Sequence, residues 1–413
     1  MEPAAAAVAV PAPSSRPALV DWPWLRSAAW VTAAFLAVVV LSRVALPKTV
    51  PFGVLLHGIV IGSINALLAV GIVLIYRSHR IINFAHAEIG VFGGILFENL
   101  AREWKVPWLA ALAVGTLAAA ALGGLLEALV LRRFARSPRL ITTVATIGIG
   151  QLVVVLTWLT ASGFGSIAAS AGITTPLSGI RVTVGDVVFS GDALLLVAVV
   201  PVVVVAIELL LRRTSFGIAV RASAESNERA ALLGVPVKVV GTATWVVASG
   251  LAGLAAILHA PVIGLLSGGT AQGPTFLLRA LTAAVVGRME NLRVAVVAAL
   301  FLGLVDQALY IAYDGSTVAD VVFVVIAIGA LLVQRQTSGR ARDAGTAWVA
   351  TEEIRPVPTA LRRLPEIRIG RVLTVGAAFL SVAILAMVLS PGDANRAATI
   401  AIYCVVAVSL VVL

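Results

Sequence analysis

The sequence predicts an all-α fold, a polytopic bundle of transmembrane helices, on three observations. Hydrophobic residues make up 60% of the chain and charged residues only 12%, against roughly 25% charged in an ordinary soluble domain. Many apolar runs reach the ~18 residues that a helix needs to cross a hydrocarbon core of about 30 Å. These runs are continuous rather than alternating, and since lipid admits only helices and closed barrels, continuity selects helices over barrel strands.

The elements follow in order along the chain. Residues 1–27 are rich in Ala and Pro, lack the basic-then-apolar pattern of a cleaved signal, and read as a disordered cytoplasmic lead-in. An extra N-terminal transmembrane helix is expected within 28–50, its apolar run covering 28–46. A large module, 51–335, holds apolar segments at 53–75, 84–101, 107–131, 141–161, 193–211, 236–259, 276–287, 294–313 and 318–334. A basic, Pro-bearing stretch, 336–369, is too charged to enter lipid and reads as a cytoplasmic linker. Residues 370–413 carry apolar runs at 371–390 and 397–413 and read as the start of a second module that is cut short. No paired broken helices stand out in matching positions of two halves, the mark of an inverted-repeat secondary transporter.

Charge alternates with these segments. With the N-terminus inside, Arg77 and Arg80, then Arg132, Arg133, Arg136 and Arg139, then Arg212, Arg213, Arg221 and Arg229, then Arg288 and Arg293, and finally the linker all fall in the cytoplasm. The opposite loops carry Asp186, Asp192 and Asp314 and few basic residues, so one orientation satisfies the positive-inside rule throughout. The net charge of +10 is thereby explained by topology and anionic lipid, and nucleic acid is not an expected partner. The single cysteine, Cys404, rules out an intramolecular disulfide and a Cys-based metal site, and it reads as a small buried hydrophobe.

Two polar constellations interrupt the apolar pattern. The loop after Leu211 contains Ser223 to Leu233, a run of good helix formers with Arg221, Glu225, Glu228 and Arg229 at pairing distances and Ala230, Leu232 and Leu233 on an apolar edge. Gly217 and Gly234 bound it, and Pro236 follows. One short amphipathic helix outside the membrane is expected, either lying on the lipid surface or docking into a groove on a cytoplasmic partner. The second constellation, Asn83, His86 and Glu88, follows the Arg77/Arg80 cluster at the inner end of an apolar segment. His86 and Glu88 point about 200° apart on a helix, which disfavours a metal site, and no metal is expected. Proton coupling is a second possibility for the pair. Packing is the third, with Asn83 capping the next helix and His86 and Glu88 satisfied by neighbouring helices or backbone.

"IYRSHRIINFAHAEIGVFGG" at 75–94, "GIAVRASAESNERAALLGVPV" at 217–237 and "RALTAAVVG" at 279–287 together resemble the permease subunits of ATP-binding-cassette importers for branched-chain amino acids, specifically the H-type subunit. The resemblance runs from Phe52 to Val333 and implies an importer-permease bundle. It also implies that the loop helix couples to a nucleotide-binding subunit through Arg221, Ala222, Glu225, Asn227, Ala230, Leu233 and Gly234. Asn83, Phe84, His86 and Glu88 match a family signature tied to packing or gating. "ATIAIYCVVAVSLVVL" resembles the opening of the partner M-type subunit, which suggests a fused permease. Where the family has a Gly-rich turn, this chain has Arg288, Met289, Glu290, Asn291, Leu292 and Arg293, residues that reach φ > 0 less readily.

Other polar residues have local readings. Asn65, Thr142, Thr143, Thr146 and Gln151 could line a polar path or bond between helices. Arg279 is expected to snorkel to an interface, and Glu127 and Glu208 to pair with Arg132 and with Arg212 or Arg213. His57 and His259 read as interior residues. No Gly-rich loop ending in Lys-Ser or Lys-Thr exists, so ATP and Mg would sit on a separate ATPase and no cofactor on this chain. The resemblance implies ATPase subunits, a second permease module and an extracytoplasmic solute-binding protein as partners, in a bacterial inner membrane. The solute would be a branched-chain amino acid, or urea, a short amide or another small polar molecule. A proton-coupled secondary transporter using His86 and Glu88 is the rival from another class, and a membrane-embedded enzyme lacks any convergent catalytic set.

Overall fold

A computed structural model describes residues 47–48, 50–134, 137, 139–163, 175–185, 187–262, 266–267, 270–271, 273–313 and 317–334. The chain divides into two compact units, 1–347 and 348–413, and every described residue lies in the first. The expected N-terminal helix at 28–46, the linker, the second-module segments and Cys404 lie outside the described residues.

Eleven α-helices form the described part: α1 (Phe52–His79), α2 (His86–Arg102), α3 (Trp108–Leu129), α4 (Arg139–Gly163), α5 (Gly191–Arg213), α6 (Ser215–Glu225), α7 (Asn227–Leu232), α8 (Val237–His259), α9 (Gly273–Val286), α10 (Leu292–Tyr313) and α11 (Thr317–Val333). Six of them, α1, α3, α4, α5, α8 and α10, are long and apolar enough to cross a membrane. The all-α expectation holds, with two small antiparallel hairpins in the connections, β1 (Arg181–Val184) with β2 (Val187–Ser190) and β3 (Leu266–Ser267) with β4 (Thr270–Ala271). The first hairpin closes over the start of α1, where a Cβ on Gly53 would lie 2.6 Å from the Val184 carbonyl. Ser190 then caps α5, its hydroxyl accepting from the Ala193 N–H at 3.3 Å.

The centre of the bundle is α1. It is apolar all round, which suits a helix enclosed by other helices rather than one facing lipid on one side, and almost every residue from Gly58 to Ile75 is buried. Close approach is what encloses it. Gly58 and Gly62 form a small-xxx-small stripe against α10, where a Cβ on Gly62 would lie 2.7 Å from the Leu300 Cα and one on Gly58 2.8 Å from the Gly303 carbonyl. The same device joins α2 to α8, since a Cβ on Gly90 would lie 2.6 Å from the Ala252 carbonyl. It also joins α2 to α3 through Gly93 and Gly115. The outward faces of α4, α5 and α11 remain apolar and exposed, with Leu152, Val155 and Leu159 on α4 and Val202, Val205 and Leu209 on α5.

Three sequence expectations are corrected and one is refined. First, 84–101 and 276–287 are not full spans, because α2 has 17 residues and α9 has 14. Arg80 closes α1 in the left-handed conformation, φ 56°, and the chain folds back so that the His86 ring packs on Gly71. Eight residues at 1.5 Å rise place that contact about 12 Å inside the end of α1. Gly273, the first residue of α9, in turn meets the Glu88 carboxylate, so two helix starts lie inside the bundle, where protein rather than lipid surrounds their free N–H groups. Second, "RMENLR" reaches φ > 0 despite residues that do so less readily than glycine, with Arg288 at φ 57° and Met289 at φ 56°. Third, Arg279 does not snorkel. Its side chain is only 15% exposed and lies 3.1 Å from Asp306 and 3.7 Å from Asp320, over the Phe323 ring. Asp306 and Asp320 lie 14 apart in sequence on α10 and α11, too distant for any local spacing rule to pair them with Arg279. Fourth, the 223–233 segment is not one helix, as described below.

Two outcomes test this packing. Gly62→Leu is expected to separate α1 from α10 and abolish the monodisperse species on size exclusion in mild detergent, whereas Gly148→Leu, at a glycine with open space around it, leaves it intact. Arg279→Met strands a buried carboxylate and is expected to cost roughly 3–5 kcal/mol. Pairing it with Asp306→Leu restores much of the loss, read as the midpoint of thermal unfolding in detergent.

Candidate functional site

The two constellations lie in different parts of the bundle. The first is interior. His86 is 0% exposed and Glu88 7% exposed, and the Oε2 of Glu88 has no hydrogen-bond partner among the described residues. The His86 ring interacts with the Leu68 backbone of α1. His86 and Glu88 are not brought together: His86 faces Gly71 of α1, and Glu88 faces Gly273 of α9. Asn83 is not the cap of α2, whose N-cap is Ala85. Its Oδ1 instead accepts from the Ala85 N–H at 3.0 Å, holding the re-entrant turn. Phe84 donates its N–H to the Thr146 hydroxyl at 3.1 Å, and Thr146 donates to the Thr143 carbonyl at 2.6 Å, so the turn is tied to α4.

The remaining path candidates scatter. Asn65 is buried on α1 with its Nδ2 unpartnered, and Thr142 is buried with its hydroxyl donating to the Phe134 carbonyl at 3.5 Å. Gln151 sits on the exposed face of α4. Asn65 on α1 and Thr142, Thr146 and Gln151 on α4 thus divide between two helices.

The second constellation is a helical hairpin at the basic end of the bundle. Thr214 starts α6 by accepting from the Gly217 N–H at 3.2 Å, and Gly217 lies against the Leu211 backbone where no side chain fits. Gly217 is thus inside the helix rather than its boundary. α6 ends at Glu225, and Ser226, extended at φ −161°, starts α7 by accepting from the Arg229 N–H at 3.3 Å. A serine that can cap is why one expected helix becomes two. Gly234 closes the hairpin at φ 84°, a left-handed position that suits glycine, and its N–H donates to the Ala231 carbonyl at 3.0 Å.

The side chains divide into anchors and a presented surface. Arg221 donates to the Leu211 carbonyl rather than pairing with Glu225, whose carboxylate lies 3.9 Å from Arg229. Ala230 is buried, so it packs the hairpin and cannot touch a partner, and Ala222 is half-buried. Glu225, Asn227 and Gly234 are exposed. At the tip, Leu232 is 88% and Leu233 83% exposed, two large apolar side chains side by side in a charged surround. Elsewhere at this end Glu127 pairs with Arg132 at 3.3 Å and Glu208 with Arg212 at 3.0 Å.

Arg80 is the residue that sequence reasoning passed over. It was counted only as a topology-setting charge, yet its guanidinium bonds Glu290 at 2.6 Å and the Ala224 carbonyl at 3.2 Å, joining the end of α1, the α9–α10 turn and α6. Nothing in the local sequence distinguishes it from Arg77, because both of its partners lie more than a hundred residues away.

A bundle with six described helices long and apolar enough to cross a membrane, and a helical hairpin with two bare leucines at its tip, is the architecture of a multi-pass membrane protein. The chain belongs to the family described as branched-chain amino acid transport system / permease component, whose profile matches residues 54–333. Among its relatives, the high-affinity branched-chain amino acid transport system permease protein LivH of Escherichia coli (strain K12) is 28% identical over 296 residues, covering 67% of this chain and 91% of that protein. LivH of Salmonella typhimurium matches to the same extent. The permease protein BraD of Pseudomonas aeruginosa is 29% identical over 293 residues, covering 68% of this chain and 91% of that protein.

Arg80→Ala removes one tie of the hairpin to the bundle, the bond to the Ala224 carbonyl, together with the Glu290 pair that holds the α9–α10 turn. Because the Arg80–Glu290 pair is largely solvated, the loss is modest, and amide exchange across 215–232 is expected to speed by about three- to tenfold. Exchange in α1 and α8 stays unchanged if the hairpin is a local unit.

Proposed function

We propose that this chain carries branched-chain amino acids across the bacterial inner membrane as the permease subunit of an ATP-driven importer, with its N-terminus in the cytoplasm. The names of the relatives support the solute, and one observation supports the coupling: Leu232 and Leu233 stand bare at the tip of a hairpin whose base is fixed by Thr214, Arg221 and Arg80. Apolar side chains exposed at such a tip are the anchors of helix-in-groove docking. A fixed base transmits a push, whereas a loose loop would absorb it.

The roles follow. Leu233, Glu225, Asn227 and Gly234, joined by Leu232, form the contact with the ATPase subunit. Ala230, Ala222 and Arg221 hold the hairpin's shape and its seat on the bundle. Asn83, Phe84, His86 and Glu88 form the re-entrant element that gates the path. ATP and Mg act on the partner ATPase, a second permease module completes the pathway, and a solute-binding protein delivers substrate from outside.

Leu232→Asp with Leu233→Asp is expected to abolish co-purification of the ATPase subunits while membrane insertion and detergent stability persist. Uptake of labelled leucine by cells carrying the wild-type system is expected to stop when ATP is depleted and to continue when the proton gradient alone is collapsed. Uptake that tracked the proton gradient, or a double variant that kept its ATPase, would overturn the proposal.

A further inference from the structure

A cavity of about 670 Å³ opens at the basic end of the bundle, between the end of α1, the α5–α6 junction and the α9–α10 turn. Five arginines line it, Arg77, Arg212, Arg221, Arg288 and Arg293, against two carboxylates, Glu208 and Glu290. The carboxylates are already engaged. Glu208 lies 3.0 Å from Arg212 and 2.6 Å from Arg293, and Glu290 lies 2.6 Å from Arg80. Arg221 spends one guanidinium nitrogen on the Leu211 carbonyl. Among the described residues, no carboxylate forms an ion pair with Arg77 or Arg288, which leaves two full guanidiniums facing one cavity with a formal excess of three positive charges.

A protein does not gain by assembling like charges from four separate elements. Brought to one concave site they repel one another, and a counter-anion lowers the energy of the whole arrangement. Arg288 sharpens the point, because it is held at φ 57° in a turn, a conformation that disfavours a side-chain-bearing residue, and yet it projects into this cavity. Guanidiniums bind phosphate oxygens in a bidentate fork, and several of them suit a ligand with more than one negative charge. Arg77 lies in the last turn of α1, so the cavity sits at the end of a helix long and apolar enough to cross a membrane.

We propose that this cavity binds a phosphate-bearing anion, either the headgroup of an anionic lipid or a soluble polyphosphate. The bound anion links Arg77 of the core helix, Arg221 of the docking hairpin and Arg288 of the α9–α10 turn. It thereby stiffens the seat of the hairpin without touching the exposed leucines. The assignment is independent of which solute is transported.

The test uses the full chain purified in a zwitterionic detergent and stripped of lipid. Native mass spectrometry and thermal unfolding are read with added cardiolipin, phosphatidylcholine or inorganic pyrophosphate. Wild type is expected to hold cardiolipin or pyrophosphate and to be stabilised by it, while phosphatidylcholine, whose phosphate is balanced by its own choline, does neither. Arg77→Gln with Arg288→Gln is expected to weaken binding at least tenfold, and Arg288→Lys alone to retain most of it. Unliganded unfolding midpoint and elution volume report whether the double variant is folded. Binding of cardiolipin alone assigns the source to the membrane, and competition by pyrophosphate assigns it to the cytosol. Equal binding by wild type and a folded double variant, or binding of phosphatidylcholine as tight as that of cardiolipin, overturns the proposal.

Discussion

The structure depends on close approach of helices around α1. Inside a bilayer the lipid tails are as apolar as leucine, so no hydrophobic force drives one helix onto another, and dispersion at short range must do so. Dispersion falls off within an ångström, which makes the missing Cβ atoms of Gly58, Gly62 and Gly303 the condition for enclosing a helix on every side. Everything functional is hung on that enclosure. The re-entrant turn lodges because Gly71 leaves room for the His86 ring, and α9 begins inside because Gly273 leaves room for the Glu88 carboxylate. A Cβ at either place would push out a helix start that has nowhere else to satisfy its backbone.

Charge is distributed in two ways that the same physics explains. At the basic end the guanidiniums are partly solvated, so individual pairs contribute little and serve mainly to set geometry, as Arg80 does between three elements. Inside, Arg279 and Asp306 are 15% and 4% exposed, and there a charge without its partner is costly. The interior pair therefore fixes the mutual register of α9 and α10 more firmly than the surface pairs fix the hairpin. A rigid core beneath a moderately tethered hairpin follows from dielectric environment alone.

Much of the fold was legible because lipid leaves few choices. The apolar runs locate nine of the eleven described helices, all but α6 and α7, and the alternation of charge puts the arginine loops at one end, where Arg77, Arg212, Arg221, Arg288 and Arg293 do share a cavity. What escaped are features set by long-range contact. The depth at which α2 and α9 begin is fixed by glycines on other helices, and a hydropathy window sees only an apolar run in each. The partners of Arg279 and Arg80 are distant in sequence, so reasoning from neighbours assigned both to the surface. In the hairpin, helix propensity across 223–233 concealed Ser226, whose side chain competes with the backbone and breaks the run. The left-handed turn at Arg288 and Met289 escaped for the opposite reason: tertiary contact holds non-glycine residues where local preference argues against them.

The unpartnered groups on α1 and α2 bear on how such a bundle can move. A buried polar atom without a hydrogen bond costs about 1–3 kcal/mol, and the Glu88 Oε2 and the Asn65 Nδ2 bear that cost in this conformation. These groups raise the energy of the present packing where α1, α2 and α9 meet, while the glycine contacts and the Arg279–Asp306 pair keep each helix intact. The gap to an alternative packing is thereby narrowed at that junction, whereas a bundle held only by saturated contacts would sit in one deep minimum.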